Sequence, residues 1–239
     1  MRVVGLITEY NPFHNGHLYH LRESLRIADA EASVAVMSGN FLQRGEPALL
    51  DKWVRAEMAL SAGVDLVLEL PFPFACSSAP SFALGAVQSL TALGVADALC
   101  FGSESGQIES LQAVAELLQS RSEEVSQATR KKLRCGINYP TARAEIMAEL
   151  APQLEPAMVA SPNNILGIEY LKALREISSA VTPYTISRIG AGYHSVETVG
   201  SIASATGIRQ MLSQRATVCE FMPPAVSRLL GQRQRAGQS

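Results

Sequence analysis

Three of the four histidines in the chain, His14, His17 and His20, fall within seven residues, and the first two bracket the run His14-Asn15-Gly16-His17. Imidazoles at this spacing around a glycine suit more than one chemistry. As donors they can bind phosphate oxygens, while Gly16 lets backbone or a nucleotide approach closely. As ligands they could hold zinc, but H-x-x-H-x-x-H has no nearby Cys, Asp or second histidine pair to complete a usual set. A third reading is a group of solvated histidines at a helix start with no chemical task.

The flanking residues decide how such a cluster would be held. Val3-Val4-Gly5-Leu6-Ile7 is a short apolar run rich in β-branched residues, suited to a buried parallel strand, and Leu18, Leu21 and Leu25 recur at helical spacing. Thr8 to Gly16 is therefore expected to be a strand-to-helix loop. A loop of that kind brings backbone N–H groups and the positive end of a helix dipole to one point, where an anion would sit. The H-x-G-H run resembles the signature of the nucleotidyltransferase superfamily, in which these histidines stabilise charge that develops as a nucleophile attacks the α-phosphate of ATP.

Composition narrows the class of protein. With 239 residues, 47% of them hydrophobic, the chain can bury a substantial core. No apolar stretch is long enough to span a bilayer, since Leu66-Val67-Leu68 is interrupted by Glu69, Pro71 and Pro73. The amino terminus lacks the pattern of a cleavable signal, so the cytoplasm is the expected compartment. Cys76, Cys100, Cys135 and Cys219 form no C-x-x-C and read as reduced thiols. A net charge of −2 does not mark a nucleic-acid binder, although Arg130-Lys131-Lys132-Leu133-Arg134 is a local basic cluster that could contact phosphates or simply form a solvated helix face.

Apolar and amphipathic runs alternate through the first half. Strands are expected at Val3 to Thr8, Ser33 to Met37, Leu66 to Leu70 and Ala98 to Phe101, and helices at His17 to Ile27, Lys52 to Ala62 and Ser81 to Leu93. This βαβαβαβ order predicts an α/β fold with a doubly wound parallel sheet and ligands bound beyond the carboxyl ends of the strands, and the resemblance of the H-x-G-H run implies that it is of the Rossmann-like nucleotidyltransferase type. Neither a G-x-x-x-x-G-K-[ST] loop nor a G-x-G-x-x-G after the first strand occurs. The loop Gly102-Ser103-Glu104-Ser105-Gly106 could approach a base or ribose.

From Ile108 the pattern turns helical, with helices expected at Ile108 to Gln119, Glu123 to Arg134 and Thr141 to Leu150. The expected division is residues 1–107 for the first part of the nucleotide domain, 108–160 for a helical insertion, 161–222 for the remainder and 223–239 for a polar tail. Ser161-Pro162-Asn163-Asn164 reads as a helix start. A further strand, Tyr184 to Ser187, ends at Arg188, whose guanidinium could bind a phosphate bidentately or simply form a surface ion pair. Near a last helix start, Ser204 and Thr206 offer hydroxyls and Arg209 a positive charge for phosphate oxygens, although a plain cap and a solvated arginine would look the same locally.

Longer runs sharpen the resemblance. Glu9 to His17, Met37 to Pro47, Asp51-Lys52-Trp53, Asn163 to Gly167 and Ala191-Gly192-Tyr193-His194, in this order, resemble the bacterial tRNA(Met) cytidine acetate ligase family, and the match runs from Met1 to about Pro223. The resemblance implies activation of acetate by ATP to acetyl-adenylate, then acetyl transfer to N4 of the wobble cytidine of elongator tRNA(Met). It implies His14 and His17 as catalytic residues. It also implies an ATP site of Ile7, Thr8, Glu9, Tyr10, Asn11, Pro12, Phe13, His14, Asn15, Gly16, His17, Leu18, Tyr19 and His20, with Gly102, Asn163 and Arg188. Ser204, Thr206 and Arg209 are added from the superfamily's second phosphate-binding segment. Magnesium is expected to be held mainly by the nucleotide, and no protein metal site is expected. Members of the family usually continue well beyond this chain, so the tail is expected to be a shortened tRNA-binding region. No base for the acetyl-transfer step can be named from the sequence. An adenylyltransferase acting on a small metabolite, or a non-catalytic nucleotide- or tRNA-binding module, are the alternatives.

Overall fold

The computed structural model describes residues 1–150, 152, 156–187 and 200–235. Its centre is a sheet of five strands: β1 (Val3–Thr8), β2 (Ala32–Ser38), β3 (Leu66–Leu70), β4 (Ala98–Ser103) and β5 (Thr182–Ser187), in the order β3-β2-β1-β4-β5. Every pairing is parallel, with Thr8 opposite Met37, Gly5 opposite Leu99 and Ser103 opposite Ser187. The expected doubly wound sheet is therefore present.

Both faces of the sheet are covered, which is why its strands read as nearly continuous apolar runs. Val34, Val36, Leu99 and Phe101 face one core, shared with α3 (Phe72–Ala75), α4 (Ala79–Leu93), α5 (Ile108–Ser120) and α9 (Pro162–Glu176). The intervening residues Val4, Leu6, Ala35, Met37 and Cys100 face the other, shared with α1 (Asn15–Ile27), α2 (Lys52–Ser61), α10 (Ala205–Ser213) and α11 (Pro224–Arg235). Small residues bring helices close. A Cβ on Gly5 would lie 2.8 Å from a Leu90 methyl, and one on Gly167 would lie 2.5 Å from the Phe101 ring.

Two regions differ from the expected division. Leu111, Val114, Ala115 and Leu118 of α5 are buried in the first core, so this helix belongs to the layer covering the sheet. By contrast α6 (Ser122–Arg134) has no buried residue and packs on α7 (Tyr139–Leu150), while α8 (Pro156–Ala160) leads into α9. The segment expected as a polar tail is, up to Arg235, a helix. Val226, Leu229 and Leu230 recur at helical spacing, Val226 and Leu230 are buried, and α11 packs against α2. No described helix is long and apolar enough to cross a membrane.

Because β2 and β3 lie on one side of β1 and β4 and β5 on the other, the loops leaving β1 and β4 part in opposite directions. The crevice between their carboxyl ends is where a doubly wound sheet receives a ligand.

Candidate active site

After Thr8 the chain turns through Tyr10, which holds φ +47 and is almost fully buried with its ring 4.8 Å from that of Phe13. A left-handed tyrosine carries a strain on the order of 1 kcal/mol and persists because packing fixes it. The turn delivers His14 as the N-cap of α1, in extended conformation, with its carbonyl accepting from His17 N at 2.9 Å. The His14 side chain caps as well: Nδ1 accepts the Gly16 N–H at 3.0 Å. An accepting Nδ1 places the proton of a neutral imidazole on Nε2, so His14 presents an N–H donor from its other end.

This capping bond explains the glycine of the motif. A Cβ on Gly16 would stand 2.8 Å from His14 Cε1 and 3.0 Å from Nδ1, so any side chain there would displace the ring. The His17 ring stacks on that of His14, with centroids 3.8 Å apart and planes at 29°, and meets Tyr10 edge-on at 5.0 Å. The two imidazoles are thereby fixed as a unit at the helix amino terminus.

Two further helix starts face the same point. At the end of β4 the Glu104 carboxylate accepts from Asn163 Nδ2 at 2.7 Å, Asn163 N at 3.3 Å and Asn164 N at 2.8 Å. Asn164 Oδ1 in return accepts from Glu104 N at 2.9 Å and Ser105 N at 3.2 Å. This reciprocal cap binds the β4 loop to the start of α9. From the opposite side Ser204 Oγ caps α10 by accepting the Gly207 N–H at 2.9 Å. Arg209 donates to the Asn11 carbonyl at 2.9 Å and to Thr206 Oγ1 at 3.4 Å, which ties α10 to the β1 loop.

The elements enclose a cavity of about 280 Å³. Of the residues expected at the site, Ile7, Thr8, Glu9, Tyr10, Asn11, His14, Gly16, His17, Tyr19, His20, Gly102, Asn163, Ser204, Thr206 and Arg209 line it. Four others do not. Pro12 and Phe13 are buried under the loop, Leu18 packs into the second core, and Asn15 donates to the Ser201 and Glu220 carbonyls, each at 2.9 Å. Arg188 and the segment Ala191 to His194 lie outside the described residues.

Sequence reasoning missed the residue that holds this wall together. Arg55 of α2 is fully buried and donates to the carbonyls of Leu50, Ser38, Glu9 and Gly39. Burial pushes its guanidinium down to about 10, against the opposing pull of Glu9, Asp51 and Glu69. One side chain thus joins the ends of β1 and β2 to the start of α2. A signal existed: Arg55 stands three and four residues before Met58 and Ala59, on the apolar face of its helix. Glu9 is bound beside it, with Oε1 accepting the Gln43 N–H at 2.9 Å. Burial raises its carboxyl above the ordinary range and Glu46 adds to that, while the Gln43 N–H, Arg55 and Arg209 oppose it.

The amino termini of α1 and α10, two stacked imidazoles and Arg209 on one cavity suit a polyanion, and Phe101, Leu166 and Tyr170 supply apolar wall for a flat base. The family described as HIGH Nucleotidyl Transferase matches residues 1–238. The chain belongs to this family. Among its relatives, a tRNA(Met) cytidine acetate ligase of Syntrophotalea carbinolica is 61% identical over 236 residues, which are 98% of this chain and 56% of that protein. The ligase of Alkaliphilus metalliredigens is 50% identical over 96% of this chain and 58% of its own length. Crystal structures of Thermotoga maritima TmcAL superpose on the whole chain, with TM-score 0.91 and 40% identity for an apo form and TM-score 0.87 and 39% identity for a form bound with alpha-thio ATP. The chain spans somewhat over half the length of these relatives.

Proposed function

We propose that this chain activates acetate with ATP, forming acetyl-adenylate and pyrophosphate, and directs the acetyl group to N4 of the wobble cytidine of elongator tRNA(Met). The reading rests chiefly on the capped His14, whose Nε2–H, the stacked His17 and the start of α1 converge at the β1–β4 crevice. The names of the similar ligases supply the substrates. An acetate oxygen attacks the α-phosphorus, the bond to the pyrophosphate oxygen breaks, and the donors at His14 and His17 stabilise charge on the phosphate oxygens. Arg209 holds the leaving pyrophosphate, and Arg188 is assigned the same task. Catalysis of this step is preorganised electrostatics and positioning.

Among the described residues no group of three or more His, Cys, Asp or Glu is arranged for a metal ion. In this reading magnesium enters with its substrate, bound to the triphosphate and water. The reading is tested by acetate-dependent exchange of labelled pyrophosphate into ATP. We expect exchange in the parent chain and a loss of about 10²–10³-fold in His17→Ala. Full exchange in that variant would remove the role given to His17, and exchange that needs a phosphorylated metabolite instead of acetate would turn the reading to adenylyl transfer.

A further inference from the structure

The cavity presents donors on the side of α1 and α10, while on the side of the β2–α2 loop two carboxylates, Glu9 and Glu46, line its wall together with Arg44. A carboxylate facing a triphosphate and an acetate is repelled by both. Beyond its bond to the Gln43 N–H, such a carboxylate suits a group that arrives with a hydrogen to give. Glu9 is the better placed, directly after β1 and on the same loop as His14. Its backbone carbonyl is held by Arg55, its Oε1 by the Gln43 N–H, and its neighbour Tyr10 by burial. Its Oε2 makes no hydrogen bond to any described residue.

We propose that Oε2 of Glu9 accepts the proton of the amine that attacks the acyl-adenylate. The assignment rests on the acetate-activation reading above and supplies the group that the second step lacked. An exocyclic aromatic amine has its lone pair drawn into the ring, so its N–H must be given up as the new bond forms. In the step, the amine nitrogen bonds to the acetyl carbonyl carbon. The bond from that carbon to the adenylate oxygen breaks, its electron pair leaves with AMP, and the amine proton passes to Oε2, from which solvent removes it. When water is the nucleophile the same oxygen takes a proton from it.

The charged and titratable groups that act on the carboxylate or share its cavity are Arg44 and Glu46 from the β2–α2 loop, Arg55 from α2, Tyr170 from α9, Arg209 from α10, and His14, His17 and His20 of the β1–α1 turn and α1. Burial, with Glu46, makes Glu9 a stronger base than an exposed carboxylate, while Arg55 and Arg209 favour its ionised form. The accepting form is the ionised one, so the step is lost as pH falls, along a limb displaced above the usual carboxylate range.

The test uses the chain itself with ATP and acetate. Pyrophosphate exchange reads the first step. AMP release reads the second, with an anticodon stem-loop RNA bearing cytidine at the wobble position as acceptor, or with water when none is added. We expect Glu9→Gln to lower the ratio of AMP release to exchange about 10²-fold and to abolish its acid limb, and Glu9→Asp to lower the ratio about 10-fold. A Glu9→Gln chain that loses both steps in parallel, or keeps the ratio within about threefold, overturns the proposal. Thermal melting checks the fold, and if Glu9→Gln does not fold, the ratio in Glu9→Asp decides by the same criteria. A parent chain without acetate-dependent exchange would refute the underlying reading, a result distinct from an unchanged ratio, and would end this assignment with it.

Discussion

His14 performs two tasks with two nitrogens, and they can be separated. Nδ1 caps α1 by accepting from Gly16 N, and Nε2–H is the donor assigned to the phosphate. His14→Ala removes both, whereas His14→Asn keeps an acceptor for the Gly16 N–H at an N-cap, where asparagine ranks among the best residues. Loss of the cap costs about 1 kcal/mol, with a range of about 0.5–2, and asparagine should recover most of it. In a chain of this size 1 kcal/mol corresponds to roughly 2–4 °C in Tm, so His14→Ala should melt about 2–4 °C below the parent and His14→Asn within about 1 °C of it. Removing a preorganised donor costs about 2.7–4 kcal/mol in the transition state, so both variants should lose about 10²–10³ in acetate-dependent exchange. Differential scanning calorimetry and the exchange assay, run on the same preparations, give both numbers. If His14→Asn kept more than about a tenth of the parent exchange, Nε2 would not be the donor. If His14→Ala melted with the parent, the 3.0 Å bond would contribute nothing to the helix.

Other residues make separate predictions. Arg55→Met leaves the carbonyls of Glu9, Ser38, Gly39 and Leu50 without their shared donor, a loss of about 3 kcal/mol and roughly 6–12 °C in Tm, and exchange should fall as the β1 loop loosens; a melt within about 2 °C of the parent would show that the bonds are dispensable. Glu104→Ala removes the acceptor for Asn163 and Asn164 and should raise the KM for ATP severalfold while lowering Tm by only about 2–4 °C. An unchanged KM beside the lowered Tm would confine Glu104 to capping α9.

What could be read along the chain was whatever local spacing encodes. The imidazole–glycine–imidazole run, the strand before it and the helix after it are contiguous, and their geometry follows from backbone rules, so the structure brings His14, Gly16 and His17 to the point where a parallel strand hands over to a helix. Even there Gly16 has a second task beside the expected one. The glycine admits the His14 ring, whatever it does for a ligand. Residues whose meaning lies in a distant partner were not readable. Asn15 sits inside the expected ATP segment, but its amide is engaged by the carbonyls of Ser201 and Glu220, far along the chain. For Arg55 the chain showed at most a cation on the apolar face of its helix, and not the role, because its four acceptors come from three separate segments. In Pro224–Arg235, abundant Gln and Arg masked the Val226, Leu229 and Leu230 stripe.

The same argument bears on how the site is divided between order and chemistry. Arg55, Glu104 and Asn164 bond chiefly to backbone groups of loops, and each joins segments that strand pairing leaves apart. A loop at the carboxyl end of a parallel strand has no ladder to hold it, and buried backbone groups there must find side-chain partners. The polar residues that satisfy them determine where His14, Glu9 and Asn163 stand. A site of this kind should tolerate conservative changes in its apolar wall better than the loss of these supports, because a displaced donor forfeits most of its electrostatic contribution while a repacked wall forfeits only contact.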